Sequence, residues 1–189
     1  KLEQTHVVIG FESASYNEPA TYAAHVFANA VGGGMSSRLF QEVREARGLA
    51  YSIYSFHWGY ADTGLFGFYA AASHRDVPDL VKVSLDCIAG AAMSLTPEEM
   101  QRAKAQAKVS LLTALESPAA RADQIARQIL AFGRLVTRAE MVEKIDALTL
   151  QEVRDAGLAA LRTAPTVAVV GDAARAPAPD RVAQRLASL

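Results

Sequence analysis

The sequence predicts a two-layer α+β sandwich in which helices pack on a largely antiparallel sheet. Three observations indicate this class. An apolar alternation opens the chain, two alternating segments joined by a short turn follow, and helical periodicity then prevails up to a last apolar strand pattern. Strands and helices do not alternate regularly, so a doubly wound parallel sheet is not expected.

The first predicted strand is Thr5–Ser13, whose apolar residues recur at every second position. These residues are Val7, Ile9 and Phe11. A helix follows, starting near Asn17 and ending near Val31. Asn17 is expected to cap its first turn, and Pro19 has the backbone angle that a first turn needs.

Three consecutive glycines, Gly32–Gly34, end this helix, and a second helix is expected from Ser36 to about Ala46. Ser36 supplies its cap, and Met35 and Phe40 lie where a hydrophobic staple would place them. The glycines are expected to form a tight turn between the two helices, with at least one of them at positive φ.

A β-hairpin is predicted next, after Gly48 ends the second helix in a left-handed conformation. Its first strand is AYSIYSFHWGY, its turn is ADTG, and its second strand is LFGFYAAAS, which together cover residues 50–73. Tyr51 falls on one face of the first strand. The other face carries the aromatic residues Tyr54, Phe56, Trp58 and Tyr60.

The rest of the chain is predicted to be mainly helical. Five helices are expected, at about Val77–Met93, Pro97–Leu115, Pro118–Phe132, Arg138–Ile145 and Leu150–Leu161. Thr96 and Glu99 form a capping box before the second of these helices. A strand over Thr166–Gly171 closes the fold, and residues 173–189 are interpreted as an Ala- and Pro-rich linker with a short terminal helix.

The composition predicts a globular chain with one domain over residues 1–189. Of its 189 residues, 51% are hydrophobic and 21% are charged, which is enough apolar content for a full core. A net charge of −1 gives no indication of a nucleic-acid or acidic-membrane partner. No apolar run approaches ~18 residues, so no membrane span is expected. Cys87 stands among apolar residues and is interpreted as a buried structural thiol.

The glycine run does not fit a nucleotide site. A phosphate loop follows a strand and precedes a helix, whereas here a helix precedes the glycines. We therefore interpret Gly32, Gly33 and Gly34 as a turn that also offers backbone N–H groups to an extended ligand. The four histidines do not stand at metal-ligand spacing, and none of the common zinc-peptidase or serine-hydrolase motifs is present, so a self-sufficient hydrolytic centre is not expected.

Arg44 and Tyr51 remain as candidate functional residues. Arg44 follows Phe40 by one helical turn, and the chain reversal at Gly48 would bring Tyr51 beside it. Arginine carries a planar fork of donors for carbonyl or carboxylate groups, and tyrosine carries a neutral donor suited to an oxyanion. From the residues alone the other interpretation stays open and is favoured: Arg44 as a solvated helix charge and Tyr51 as a sheet aromatic.

The segment GGGMSSRLFQEVREARGLAYSIYS, residues 32–55, closely resembles the C-terminal homologous half of the pitrilysin-like zinc peptidases, the inverzincins. Within that family it is most similar to bacterial proteins related to the mitochondrial processing peptidase. Other segments agree, namely THVVIGF, QILAFGR, KIDALTLQEV and PTVAVVG. The resemblance spans nearly the whole chain.

This resemblance implies a clamshell of two homologous halves that enclose a peptide chamber, with zinc held by the N-terminal half. Arg44 and Tyr51 match an Arg and a Tyr, with six residues between them, that the C-terminal half contributes. The resemblance implies that Arg44 holds backbone carbonyls of the substrate. It also implies that Tyr51 donates a hydrogen bond near the scissile carbonyl and stabilises the oxyanion.

The chain itself carries no zinc motif, so the implied function is the substrate-binding half of a zinc metalloendopeptidase, inactive alone. The zinc-bearing half would precede Lys1 in the same polypeptide or come from another subunit, and the start at Lys1 favours a fragment of a longer chain. A homodimer is a further option. A cytoplasmic location is expected, with the periplasm as the alternative. The alternative function is a non-catalytic scaffold or an activating subunit of the same family.

Overall fold

The computed structural model describes residues 2–113 and 117–188, and its centre is a single antiparallel sheet. The four strands are β1 (Thr5–Ser13), β2 (Ser52–Gly59), β3 (Gly64–Ala72) and β4 (Thr166–Val170). They lie in the order β2-β3-β1-β4, and all three neighbouring pairs are antiparallel. The predicted antiparallel sheet is confirmed.

Helices pack on one face of this sheet, which confirms the predicted α+β class. They are α1 (Thr21–Gly32), α2 (Val77–Ser94), α3 (Pro97–Thr113), α4 (Pro118–Phe132), α5 (Arg138–Ala147), α6 (Leu150–Leu161) and α7 (Pro179–Ala187). A short π-helix, Phe40–Glu45, lies between α1 and β2.

The core lies between the sheet and the helices. Phe11, Phe27 and Phe66 are almost completely buried, and the ring centroids of Phe27 and Phe66 are 5.3 Å apart. Gly157 on α6 permits this packing, because a Cβ at that position would lie 2.5 Å from the Phe27 ring. Burial of these rings is a main source of stability for the fold, since aromatic side chains remove large apolar areas from water.

Side chains of the strands alternate between this core and an uncovered face of the sheet. On β1, Val7 and Ile9 are fully buried, whereas His6 and Val8 are only half-buried and Glu12 is exposed. We call the second face the open face. Because strand side chains alternate with a period of two, the same division holds along the neighbouring strands.

Most predicted element bounds agree with the structure. Those of β1, α4 and α6 are the same, and those of α2, α5 and β4 differ by at most two residues. The last predicted residues of α3, up to Leu115, lie outside the described residues. The capping box is confirmed, because Thr96 N donates to Glu99 Oε2 at 2.8 Å and Glu99 N donates to Thr96 Oγ1 at 3.2 Å.

The predicted cap of α1 is wrong. The helix begins at Thr21, and its first turn has no side-chain cap. Asn17 instead donates through Nδ2 to the carbonyl of Ala61 at 3.1 Å, which ties the loop before α1 to the β2–β3 turn. Asn17 therefore connects two loops by a hydrogen bond and does not cap a helix.

The C-terminal helix α7 is attached to α2. Val182 is buried, and the Arg185 guanidinium holds the Asp86 carboxylate with contacts of 2.6 and 2.7 Å.

Within the described ranges no single helix is long and apolar enough to cross a membrane. Helix α2 and most of α3 have the length and apolar content of a span only when they are taken together, and the angle between these two helices is 104°.

Candidate functional site

The segment that carries Arg44 is a π-helix and not the α-helix that its periodicity predicts. The N–H of Ala46 donates to the carbonyl of Gln41 at 2.8 Å, so this hydrogen bond spans five residues. Val43, in the middle of the segment, is fully buried. Such widened turns are rare and occur frequently at functional sites.

The start of this segment also differs from the expectation. The π-helix has no side-chain cap at its first residue, so Ser36 does not cap it, and the hydroxyl that contacts its start is that of Ser37, whose Oγ accepts a hydrogen bond from Phe40 N at 3.4 Å. Met35 is 75% exposed and therefore forms no hydrophobic staple with Phe40. The entry into the helix depends on a hydroxyl and not on an apolar contact.

Arg38 fixes this segment to the helical layer. Its Nε lies 2.6 Å from Glu99 Oε1, and its Nη2 lies 2.8 Å from Glu99 Oε2 and 2.9 Å from the carbonyl oxygen of Ser94. Hydrogen bonding to Arg38 lowers the pKa of the Glu99 carboxyl to about 2. The bidentate pair therefore holds the start of the π-helix against the junction of α2 and α3.

Arg44 and Tyr51 are brought together, as the sequence predicts. The Arg44 guanidinium carbon lies 4.6 Å from the centroid of the Phe40 ring and 5.3 Å from that of the Tyr51 ring. The nearest approach between Arg44 Nε and the Glu45 carboxylate is 3.7 Å, which is too long for a good hydrogen bond. Tyr51 is 76% exposed. The guanidinium thus lies between two aromatic rings, one of which belongs to a tyrosine that is open to solvent.

Gly48 produces the reversal that makes this pairing possible. Its φ is 61°, in the left-handed region, and its N–H donates to the Arg44 carbonyl at 3.0 Å. The predicted left-handed glycine is confirmed. Because β2 starts at Ser52, Tyr51 is the last residue before the strand and lies next to the end of the π-helix.

Gly32 and Gly33 are required for close packing, and none of the three glycines is required for an unusual backbone angle. None of them has positive φ, so that prediction is wrong. Gly32 is buried, and a Cβ there would lie 2.5 Å from both the backbone nitrogen and the Oγ of Ser55. Gly33 and Gly34 are half-buried, and the Gln106 side chain on α3 donates to the Gly33 carbonyl. The glycines therefore hold the end of α1 close to β2 and α3.

The other candidate chemistry of the chain is structural. In residues 2–113 and 117–188 no three His, Cys, Asp or Glu side chains lie close enough together to hold a metal ion. His57 approaches the Ala14 carbonyl at 3.0 Å, and burial lowers the pKa of its ring despite that contact. Cys87 is half-buried, and burial raises the pKa of its thiol to about 11, so it is a poor nucleophile at neutral pH.

Two supporting residues were not identified from the sequence. The sequence places Phe40 in a hydrophobic staple, whereas in the structure its ring lies 4.6 Å from the Arg44 guanidinium carbon. Glu99 was assigned only to a capping box, yet it also binds Arg38. Only the four-residue spacing from Phe40 to Arg44 gave a sequence signal. The pairing of Arg38 with Glu99 joins distant parts of the chain and leaves no local pattern.

Residues 1–107 match the family described as the peptidase M16 inactive domain. The chain belongs to the peptidase M16 family. This M16 domain is 38% identical over 187 residues to an uncharacterized zinc protease of Streptomyces coelicolor. It is 33% identical over 154 residues to the uncharacterized zinc protease YmxG of Bacillus subtilis. The predicted membership, as a C-terminal half of pitrilysin-like type, is confirmed.

The M16 domain spans less than half of each of these proteins. The alignment covers 98% of this chain but 40% of the Streptomyces relative, and 81% of this chain but 38% of the Bacillus relative. Among solved structures, a chain of complex III from Candida albicans, with Inz-5 bound, superposes with a TM-score of 0.91 at 25% identity. That match covers 98% of this chain and 47% of the other chain, which supports the predicted half-molecule architecture.

Proposed function

We propose that this M16 domain is the substrate-binding half of a zinc metalloendopeptidase, and that Arg44 and Tyr51 contact the substrate peptide. The observation that carries the proposal is the stacked, solvent-accessible pair formed by the two side chains. The names of the relatives, which are zinc proteases, support the reaction class.

Arg44 is suited to hold a peptide by its carbonyl groups. The Arg44 guanidinium carbon lies over the Phe40 ring and near the Tyr51 ring, and rings hold an arginine without accepting conventional hydrogen bonds from all of its N–H donors. An extended peptide presents carbonyl oxygens at its edges, and a planar fork of donors can bind one or two of them. This contact would act on bound substrate as well as on the transition state.

Tyr51 is suited to a different step. Attack on a peptide bond turns the scissile carbonyl oxygen into an oxyanion, and a positioned neutral donor stabilises that charge. The Tyr51 hydroxyl belongs to an exposed side chain held in place by the Arg44 contact. Its hydrogen bond strengthens as the charge develops, so its contribution would be to the transition state and not to substrate affinity.

The described residues do not fit a zinc site, because they contain no cluster of metal-binding side chains. In the proposed enzyme this chain supplies contacts to the substrate, and the metal belongs to an N-terminal zinc-bearing half. That half is either part of the same polypeptide or a separate subunit. Residues of this chain would contact the substrate and its oxyanion only.

The division of labour can be tested by measuring zinc content and peptide cleavage. The purified 189-residue chain should contain no stoichiometric zinc by metal analysis and should cleave no peptide. Cleavage should appear when the zinc-bearing half is present, whether supplied separately or in the full-length protein. Stoichiometric zinc or cleavage in the chain alone would contradict the proposal.

A second candidate function is a scaffold or activating subunit. The observation that favours it is the close superposition on a chain of complex III, a multisubunit assembly. A pure scaffold has no requirement for an exposed Arg44–Tyr51 pair, so this candidate is the weaker one.

The sequence preceding Lys1 in the gene discriminates between the peptidase and the scaffold. A His-x-x-Glu-His motif there supports the peptidase, and its absence supports a scaffold or a subunit that activates a separate zinc partner.

A further inference from the structure

The backbone around Arg44 is fixed by the turn that follows it and by the core. The Arg44 carbonyl accepts a hydrogen bond from Gly48 N at 3.0 Å, and the Val43 carbonyl accepts one from Leu49 N at 2.9 Å. The side chains of Val43 and of Leu39, four residues earlier, are completely buried. These contacts hold the Arg44 backbone in place but do not act on its guanidinium.

The Arg44 side chain needs a separate contact to hold it. In the described part of the chain its nearest carboxylate is that of Glu45, 3.7 Å from Arg44 Nε and too far for a good hydrogen bond. Arginine has many rotamers, and keeping it in one of them costs side-chain entropy. A guanidinium that is to meet a ligand in one defined place therefore requires support from a neighbouring group.

The Phe40 ring lies where it can give this support. The Arg44 guanidinium carbon is 4.6 Å from the centroid of Phe40 and 5.3 Å from that of Tyr51, so the contact with Phe40 is the closer one. Both distances are within the range, up to about 6 Å, in which an aromatic ring attracts a guanidinium. Phe40 and Arg44 are four residues apart on one helical segment, a spacing that places side chains next to each other.

The anchoring of this segment in the core depends on other side chains. Leu39 and Val43 are completely buried, whereas Phe40 is only half-buried. The backbone N–H of Phe40 is bound by the Ser37 hydroxyl and not by an apolar contact. A leucine at position 40 would also bury apolar area. What an aromatic ring adds there is its attraction for the guanidinium.

The contacts place Phe40, Arg44 and Tyr51 in a definite order. Phe40 and Tyr51 each contact the guanidinium, and Tyr51 is 76% exposed. Loss of the Phe40 ring would therefore act directly on Arg44 and on Tyr51 only through Arg44. Functions of the guanidinium should be affected more strongly than functions of the tyrosine hydroxyl.

We propose that Phe40 is a positioning residue, whose ring holds the Arg44 guanidinium where it meets the carbonyl groups of the substrate. This inference rests on the proposed peptidase function and adds a residue that acts on the substrate only through Arg44. Phe40 itself contacts no substrate and takes no part in bond cleavage.

Phe40→Leu tests this role in the enzyme assembled with its zinc-bearing half, because it keeps apolar volume and removes the ring. KM should rise about threefold, as expected for loss of one partly exposed cation–ring contact, and kcat should stay within about twofold. Phe40→Tyr keeps a ring at this position and should restore the wild-type KM. A role limited to stability would lower the melting temperature and leave KM unchanged.

A double-mutant cycle shows whether Phe40 acts through Arg44. In the Arg44→Ala background the guanidinium is already absent, so adding Phe40→Leu should leave KM within about twofold of the single variant. Independent roles would instead multiply the two effects on KM.

Tyr22→Leu is the matched control for loss of a ring beside a cation. Tyr22 is half-buried, and Lys144 Nζ lies 5.4 Å from its ring centroid. Tyr22 belongs to the first turn of α1, ten residues before the end of that helix at Gly32, which is about 15 Å along the helix axis. Tyr22→Leu should leave KM within about twofold.

NMR of the arginine side chains gives a readout that needs no cleavage. In the 189-residue chain the Phe40 ring should shift the Arg44 Nε–H resonance, which is assigned by its absence in Arg44→Lys. Phe40→Leu should move this resonance towards the values of unstacked arginines, and Phe40→Tyr should keep it in place. Circular dichroism checks that each variant is folded.

Four results would overturn the proposal: multiplied effects on KM in the cycle, no rescue by Phe40→Tyr, equal effects of Phe40→Leu and Tyr22→Leu, or an Arg44 resonance that Phe40→Leu does not move. Failure of the peptidase proposal would be seen differently, as an unchanged KM in Arg44→Ala while the resonance still responds to Phe40→Leu. The two failures are therefore distinguishable.

Discussion

Arg38 and Arg44 lie on the same short segment of the chain, but their surroundings are opposite. Arg38 has carboxylate and carbonyl acceptors at 2.6 to 2.9 Å from Glu99 and Ser94. Arg44 lies near two aromatic rings, at 4.6 and 5.3 Å from their centroids, and its neighbouring carboxylate is 3.7 Å away. The N–H donors of Arg38 are bound to acceptors within the fold. Arg44 contacts aromatic rings instead, and these contacts leave its donors for other partners.

The two arginines are therefore suited to different roles. An arginine whose donors are bound to acceptors inside the fold contributes to stability. An arginine that lies beside aromatic rings, with its nearest carboxylate too far for a good hydrogen bond, keeps donors for a ligand. Substitution of Arg38 or its partner should therefore lower the free energy of unfolding, and substitution at the Arg44–Tyr51 pair should change catalysis with little effect on stability.

The largest effect is expected from Tyr51→Phe in the enzyme assembled with its zinc-bearing half. The substitution removes only a hydroxyl, so kcat should fall by about 10²–10³ with KM little changed, as for the loss of one oxyanion donor. The melting temperature should stay the same, because the residue is 76% exposed. Tyr60→Phe is the matched control and should leave kcat unchanged. An intact kcat in Tyr51→Phe would reduce Tyr51 to a surface aromatic.

Arg44→Ala should raise KM about tenfold together with some loss of kcat, because a carbonyl clamp acts on bound substrate as well as on the transition state. Arg44→Lys keeps the charge but loses the planar fork, and should recover only part of the affinity. Steady-state kinetics with one peptide substrate measures both. A change in stability without a change in KM would contradict the role in substrate binding and would show that Arg44, like Arg38, stabilises the fold.

Gly32→Ala tests the packing that places the segment. Its Cβ would meet backbone and side-chain atoms of Ser55 at 2.5 Å, so we expect a loss of about 2 kcal/mol in the free energy of unfolding. Gly34→Ala is the control, because there the Cβ would meet only the flexible Gln106 side chain, at 3.1 Å. Urea denaturation compares the two variants. Equal stabilities would show that the end of α1 adapts to a side chain.

The smallest effect is expected from Glu99→Gln and should depend on pH. Hydrogen bonding to Arg38 lowers the pKa of Glu99 to about 2 in the folded chain, below about 4.3 for an unfolded glutamate. The stabilisation is thus complete above the unfolded value and is lost as the pH falls towards 2. Because the pair is partly screened by solvent, Glu99→Gln should cost about 1 kcal/mol at neutral pH and less at about pH 3.

The control for this measurement is Asp123→Asn. Its ion pair with Arg127 is short, at 2.7 Å, but both side chains are more than half exposed. Exposed pairs of this kind contribute little, so no change is expected. If Glu99→Gln and Asp123→Asn had the same effect at both pH values, Arg38 would be no better anchored than a surface arginine.

The sequence predicted regular elements well, for physical reasons. Strand β1 and helices α4 and α6 have clear apolar periods, with a proline or a hydroxyl cap at the start of each of the two helices. The prediction was wrong between Ser36 and Ala46, because a π-helix contains the same residue types as an α-helix and differs only in its hydrogen bonds.

The proximity of Arg44 and Tyr51 was predictable from the sequence, but the contacts that support the pair were not. The reversal at Gly48 and the order of Arg44 and Tyr51 are visible in the sequence, and they bring the pair together. The reason for the glycine run was not visible, because Gly32 is required by its closeness to Ser55, a residue that is near only in the folded chain. Tertiary closeness of this kind has no local pattern.

The most direct test of the central claim is photo-crosslinking from position 51. Tyr51 is replaced by a photoreactive phenylalanine in the assembled enzyme, the complex is irradiated with a slowly cleaved peptide, and the linked peptide residue is located by mass spectrometry. The same replacement at Tyr60, which is also exposed, is the control. If Tyr51 contacts the scissile region, position 51 should crosslink to residues beside the cleaved bond and position 60 should not. Absence of a crosslink at position 51, or equal crosslinking at both positions, would contradict the claim that this half of the enzyme presents Tyr51 to the substrate.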